Sequence, residues 1–325
     1  MDQGFPSTPE EFYASALGRV QWYYNVEVLP GLITRGTYPE NFPMLPRMMS
    51  RKADVAGQHC LDIGSMDGLM PTSLARRGAA RVVASDAVSH CHDRLAAVQH
   101  YYGVDFEFAA VGLLYDLHKK LAGHSFDFIN FSGVLYHVYS PLMALASARS
   151  LLRRNGMMVV STNIVYDPGF RAEFNDAGRL QPEANTFWYL TIPLLDYMLR
   201  MLKLAPVDCL HLDHRKMDLP LGIEGLRTGY MSILCRAQDD VVADPSDVFM
   251  HAVRDASWEH AGLTDWAAAN SHPVSTIRQL DKPAGAVQRP GTDAIDLWAT
   301  VLEQPAQGLV DDPSLAHTLR LADQS

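Results

Sequence analysis

Cysteine is scarce in this chain of 325 residues: Cys60, Cys91, Cys209 and Cys235 stand far apart, with no C-x-x-C pair. That excludes a zinc ribbon and a disulfide framework. Long apolar runs are missing too, so no membrane-spanning helix is expected. The opening Met1-Asp2-Gln3-Gly4-Phe5-Pro6 lacks the basic-then-apolar order of a secretory signal. No internal repeat is visible. The expectation is a reduced, soluble, cytoplasmic protein. Basic residues are also in short supply, 27 against 37 acids, and none form a run. From residue 238 onward fourteen acids face five bases, so this tail carries nine of the ten net negative charges. Such a field disfavours phosphate-rich partners. It keeps the surface soluble or draws in a cationic substrate.

What the chain does contain is an alternation of short apolar runs and helix-compatible stretches. Residues 60–63, 81–85, 106–109, 126–131 and 157–161 read as strands; 69–77, 90–102 and 140–152 read as helices. This pattern predicts an α/β fold whose parallel sheet is covered on both faces. An amphipathic helix over 192–204 leads to strands at 207–212 and 230–235. With no helix between them, those two must pair antiparallel. The expected division is an aromatic-rich arm over 1–50, a ligand-binding domain over 51–237, and an acidic appendage over 238–325, helical at 248–260 and 293–302. The appendage would serve as a lid or as the surface of a homodimer.

The strongest local signal is Asp62-Ile63-Gly64-Ser65-Met66-Asp67-Gly68, between a strand and a helix. Gly64 permits a sharp turn and Gly68 a close approach of the next helix. Asp86 closes the second strand twenty-four residues after Asp62, where a ribose diol would be held. A dinucleotide loop would show G-x-G-x-x-G. Here Asp62 and Asp67 would repel phosphates and suit a ligand carrying an ammonium and a sulfonium.

With these features the sequence resembles class I S-adenosylmethionine-dependent methyltransferases, whose Rossmann-like sheet has seven strands, the last antiparallel. The resemblance covers roughly residues 22–236. More narrowly it looks like the branch that includes tRNA wobble-uridine carboxymethyltransferases and many natural-product methyltransferases, through Trp22-Tyr23-Tyr24 with Leu29-Pro30-Gly31, the Asp62–Gly68 loop, Gly133-Val134-Leu135-Tyr136-His137, and Phe187-Trp188 before Ile192-Pro193. Met66 stands where many members carry glycine. The resemblance implies that Asp62, Gly64, Ser65, Asp67 and Gly68 line the methionine end of S-adenosylmethionine. Asp86 and Ala87 would meet the ribose, Tyr115 and Asp116 the adenine, and Ser132 and Tyr136 the sulfonium.

For the chemistry, His137 is the leading base or substrate orienter, since imidazole titrates near neutral pH, with Tyr136 beside it. Trp22 and Tyr24 would close the pocket, or else be core. Asn163, Asp167 and Glu183 are the expected substrate contacts. His211 and His214 lack a third metal ligand and read as solvated loop residues, and no metal is expected. The acidic tail and the missing basic set favour methyl transfer to a cationic small molecule, an amino sugar or aminoglycoside amine of antibiotic biosynthesis, with no nucleic-acid or membrane partner. The whole-chain pattern is similar to aminoglycoside N-methyltransferases. A tRNA wobble-base modifying methyl- or carboxymethyltransferase, a small-molecule O-methyltransferase and a non-catalytic S-adenosylmethionine-binding module are the alternatives.

Overall fold

The computed structural model describes residues 4–87, 89, 91–183, 185–217, 219, 225–238 and 294–322. In chain order the strands are β1 (Asn25–Leu29), β2 (Leu32–Ile33), β3 (His59–Ile63), β4 (Arg81–Asp86), β5 (Glu107–Ala110), β6 (Phe126–Ser132), β7 (Leu152–Val165), β8 (Ala172–Phe174), β9 (Trp188–Thr191), β10 (Leu204–Asp213), β11 (Thr228–Ala237) and β12 (Thr318–Leu319). The helices are α1 (Pro9–Ala14), α2 (Leu45–Ser50), α3 (Leu69–Arg76), α4 (His92–Tyr102), α5 (Leu117–Lys120), α6 (Pro141–Arg149), α7 (Ile192–Met201) and α8 (Leu297–Glu303). The helix expected over 248–260 lies outside the described residues.

The main sheet runs β10-β11-β7-β6-β3-β4-β5. Strands β3 to β7 are mutually parallel, and β11 lies antiparallel to both β7 and β10. The antiparallel ending that the sequence predicts is present: β11 pairs antiparallel with β10 from Leu204↔Ala237 to Asp213↔Gly229. Apolar strand residues such as Leu61, Ile63, Phe128, Ile129, Val159 and Val160 are fully buried, because helices cover both faces.

Two features go beyond the expected pattern. Strand β7 is fourteen residues long. Its first part pairs with β6, and Ile164 and Val165 pair with Leu190 and Thr191 of β9, which carries β8 on its far side. The β8–β9 hairpin therefore stands above the carboxyl edge of the sheet, with residues 175–187 as its loop. The second is a small sheet of order β12-β1-β2, in which a strand from near the C-terminus pairs parallel with the N-terminal arm. The Tyr102 hydroxyl of α4 bonds the carbonyls of both Glu27 and Leu319 at 2.9 Å, tying that sheet to the domain. No helix among the described residues is long and apolar enough to cross a membrane.

Candidate active site

The carboxyl ends of β3, β4 and β6 frame the glycine loop. Gly64 has φ +81°, and a β-carbon there would stand 2.6 Å from Val134 Cγ2, so the position needs glycine on two counts. Met66 takes φ +47°, a left-handed conformation that costs a side-chain-bearing residue about 1–2 kcal/mol. Part of that is offset because its N–H donates to Asp86 Oδ2 at 3.1 Å. Methionine thus adopts the glycine-like geometry, and the second-strand acid Asp86 organises the loop.

Asp62 is 1% exposed. Its Oδ1 accepts from Asn130 Nδ2 at 2.7 Å, while Oδ2 is buried with no partner. Burial pushes the Asp62 carboxyl up to about 6, against hydrogen bonds from Ser65 and Asn130 that pull it down. A buried carboxylate oxygen without a donor is costly, and a ligand ammonium would relieve it. The methionine end of S-adenosylmethionine carries such a group, so these residues fit it. Behind Asp62 a line of polar side chains crosses the sheet. Ser132 Oγ donates to Asn130 Oδ1 at 2.7 Å, Ser161 Oγ lies 2.9 Å from Ser132 Oγ, and Ser232 Oγ lies 2.7 Å from Ser161 Oγ. Strand register places them side by side: Asp62 beside Asn130, Ser132 beside Ser161, Ser161 beside Ser232.

The expected role of Asp67 is corrected. It is fully buried and its Oδ1 pairs with Arg94 Nε at 3.1 Å. Its Oδ2 accepts the N–H groups of Tyr23 and Tyr24. Burial raises its pKa against the pull of Arg94 and these amides. Its charge thereby fastens the N-terminal arm to the loop. Trp22 is likewise core, its Nε1 donating to the Leu17 carbonyl at 3.0 Å. Tyr24 is buried and stacks on His317 at 6.0 Å.

Of the other expected cofactor contacts, the Tyr115 hydroxyl accepts from the Ser140 N–H at 2.9 Å, and Ala87 is exposed just past β4. Asp116 holds Lys119 at 2.8 Å in a surface pair. Beyond β6, Gly133 allows two phenols to converge: a β-carbon there would stand 3.6 Å from the Tyr136 hydroxyl and 3.8 Å from that of Tyr230. His137 Nδ1 is 2.8 Å from the Asn185 carbonyl. A carbonyl only accepts, so Nδ1 carries the proton and Nε2 of the neutral ring is left with the lone pair. Asn163 Nδ2 donates to Gln181 Oε1 at 3.1 Å, and Gln181 Nε2 donates to Glu183 Oε2 at 2.7 Å. Asp167 instead pairs with Arg171 and caps Gly169, away from this network.

His211 and His214 are buried, not solvated. His211 lies 2.7 Å from the Tyr166 hydroxyl and 3.2 Å from the Gln304 carbonyl. His214 lies 3.1 Å from Thr228 Oγ1, and burial drives its pKa down to about 4. Among the described residues no group of three or more His, Cys, Asp or Glu side chains could hold a metal. Sequence reasoning missed Asn130, Ser161, Ser232, Arg94, Tyr38, Tyr230 and Gln181. The signal for the first three was present: polar residues at two-residue spacing, or singly, within otherwise apolar central strands.

Comparison with known proteins adds the following. Residues 40–203 match the family described as a methyltransferase domain. The chain is 26% identical over 180 residues to the tRNA U34 carboxymethyltransferase of Pseudomonas syringae pv. syringae strain B728a, covering 55% of each chain. It is 31% identical over 113 residues to the ubiquinone biosynthesis O-methyltransferase of Neisseria meningitidis serogroup C, covering 34% of this chain and 46% of the other. The chain thus spans about half the length of the curated relatives it matches. Among solved structures, the YcgJ protein of Bacillus subtilis aligns with TM-score 0.49 and 14% identity, over 60% of this chain and 98% of that one.

Proposed function

The chain belongs to the methyltransferase domain family, and from that premise we propose that it transfers the methyl of S-adenosylmethionine to an amine of a polar, cationic small molecule. An amino sugar or aminoglycoside of specialised metabolism fits this reading. When bound, S-adenosylmethionine supplies a methyl carbon activated by a positively charged sulfur. The protein's own work is placement, which accounts for much of the acceleration in an in-line displacement. Asp62 and Asp86 hold the donor's ammonium and ribose. His137 Nε2 takes the acceptor's proton, its ring oriented by the Asn185 carbonyl. Tyr136 lies against that ring, the two centroids 4.3 Å apart.

One observation carries the preference for a cation over a nucleic acid. Three arginines flanking the β8–β9 hairpin and β11 are tied to carboxylates: Arg171 to Asp167, Arg179 to Asp176 and Glu173, and Arg227 to Asp213. A guanidinium already paired with a carboxylate has less positive charge to offer a phosphate. The relatives' names keep two other readings in view, tRNA wobble-base modification and O-methylation of a small molecule. Methyl-labelled S-adenosylmethionine, supplied with aminoglycoside intermediates, phenols and tRNA in parallel, separates the three. The expected result is one added methyl on an amine; label on tRNA or on a phenol alone overturns the reading.

A further inference from the structure

We propose that the phenols of Tyr23, Tyr38, Tyr136 and Tyr230, with Glu183 at their rim, form a seat for an ammonium group of the acceptor. This rests on the methyltransferase reading and names the feature of the substrate that the site would recognise. Four observations support it.

The rings converge from three distant stretches of chain. Tyr136 and Tyr230 both bring their hydroxyls to Gly133. Tyr23 and Tyr38 meet edge-on, 6.1 Å between centroids, and Tyr38 is stacked 4.8 Å from Phe42. Each of the four lies within electrostatic range of at least one other, and Glu183 acts on both Tyr38 and Tyr136. Burial raises the pKa of all four phenols, so they remain neutral and present rings without negative charge.

Glu183 differs from the neighbouring acids. Asp167, Glu173, Asp176 and Asp213 each face an arginine, whereas among the described residues the donors to Glu183 are neutral: Gln181 Nε2 at 2.7 Å and Thr186 Oγ1 at 3.3 Å. Its charge is positioned but not neutralised by them. Gln181 is itself fixed, accepting from Asn163 at 3.1 Å and from the Tyr189 hydroxyl at 3.0 Å. A carboxylate beside several π faces is the arrangement that selects an organic cation. A protonated nitrogen has no lone pair, so the ammonium held here is an anchor. The reacting nitrogen is a second amine, and the acceptor class is a compound with at least two.

The test uses the full chain loaded with S-adenosylhomocysteine and follows binding by calorimetry. Two cyclic probes are titrated, the diamine 2-deoxystreptamine and its amine-free counterpart 2-deoxy-scyllo-inositol. The diamine is expected to bind at least about tenfold more tightly. Glu183→Gln should remove about tenfold from the diamine and nothing from the cyclitol, with S-adenosylhomocysteine affinity unchanged. Tyr230→Phe keeps the π face and should stay within about twofold, whereas Tyr230→Leu loses the preference. Equal affinity for the two probes, binding of neither, or indifference to Glu183→Gln overturns the seat. If S-adenosylhomocysteine still binds in those cases, the methyltransferase reading survives; if it does not, both fall.

Discussion

The donor half and the acceptor half of the proposed site are built differently. The donor half is local: Asp62, Gly64, Met66 and Asp86 sit on adjacent strands and one loop, and their bonds run between neighbours in the sheet. The acceptor half is assembled from the arm, the loop after β6, the β8–β9 hairpin and β11. Asp67 joins the two halves, lying in the donor loop while clasping the arm at Tyr23 and Tyr24. A loop bound to strand ends can be read from a short string of residues; a pocket gathered over two hundred residues cannot.

The largest expected effect lies in the donor half. Asp62→Asn removes the charge that faces the donor's ammonium, and S-adenosylmethionine affinity should fall by about 1.5–3 kcal/mol, roughly ten- to a hundredfold. The same substitution takes an unpartnered buried carboxylate out of the ligand-free protein, so its thermal midpoint should rise. Opposite signs in calorimetry and melting would establish that the acid is kept for binding. A fall in both would make Asp62 a structural residue.

Next comes the turn itself. Gly64→Ala forces a β-carbon against Val134 at a left-handed position, and a cost of about 1–3 kcal/mol is expected by denaturant unfolding. An acceptor-side control, Tyr136→Phe, should leave stability nearly unchanged.

Acid should separate the halves by the sign of their response. Asp62 titrates at about 6 in the fold against 3.8 for an ordinary carboxyl. Its contribution to ligand-free stability is therefore complete below about pH 4 and lost as pH rises through 6. His317 does the reverse. Burial lowers it to about 4, so its contribution is present above about 6.5 and disappears as pH falls toward 4. It lies 4.7 Å from Tyr38, and its carbonyl accepts the Asn25 N–H, where the tail strand meets the arm. Protonation should loosen the arm by about 3 kcal/mol, visible as early amide exchange in β1 and β12. Donor binding below pH 6 should weaken because Asp62 becomes neutral, and a pH-independent affinity would count against that assignment.

How much was legible follows the same division. The parallel sheet, the antiparallel end and the glycine loop were readable because period and connection length dictate them. The roles of Asp67 and Trp22 were not: a carboxylate in a cofactor loop looks alike whether it faces a ligand or Arg94, and only the fold brings Arg94 and the arm within reach. Tyr38 and Tyr230 carried no local pattern at all. Their meeting with Tyr136 depends on the length of β7 and on a tail strand pairing with β1. His211 and His214 looked like loop residues because the sequence does not reveal that 294–322 returns to cover β10, where Gln304 meets His211.

The smallest expected effect concerns the acid that the structure moves out of the acceptor network. Asp167 binds Arg171 four residues on, in a partly exposed pair, and such pairs contribute about 0–1 kcal/mol. Asp167→Asn should therefore leave stability, donor affinity and acceptor KM all close to the parent. Glu183→Gln, sixteen positions later and held by the neutral donors Gln181 and Thr186, should raise acceptor KM with little change in donor affinity. Steady-state kinetics on the two variants weighs a neutralised acid against an available one in the same rim. If Asp167→Asn raises KM as much as Glu183→Gln does, the acceptor reaches past the tyrosines to the loop after β7. The boundary of the acceptor half would then lie at Arg171.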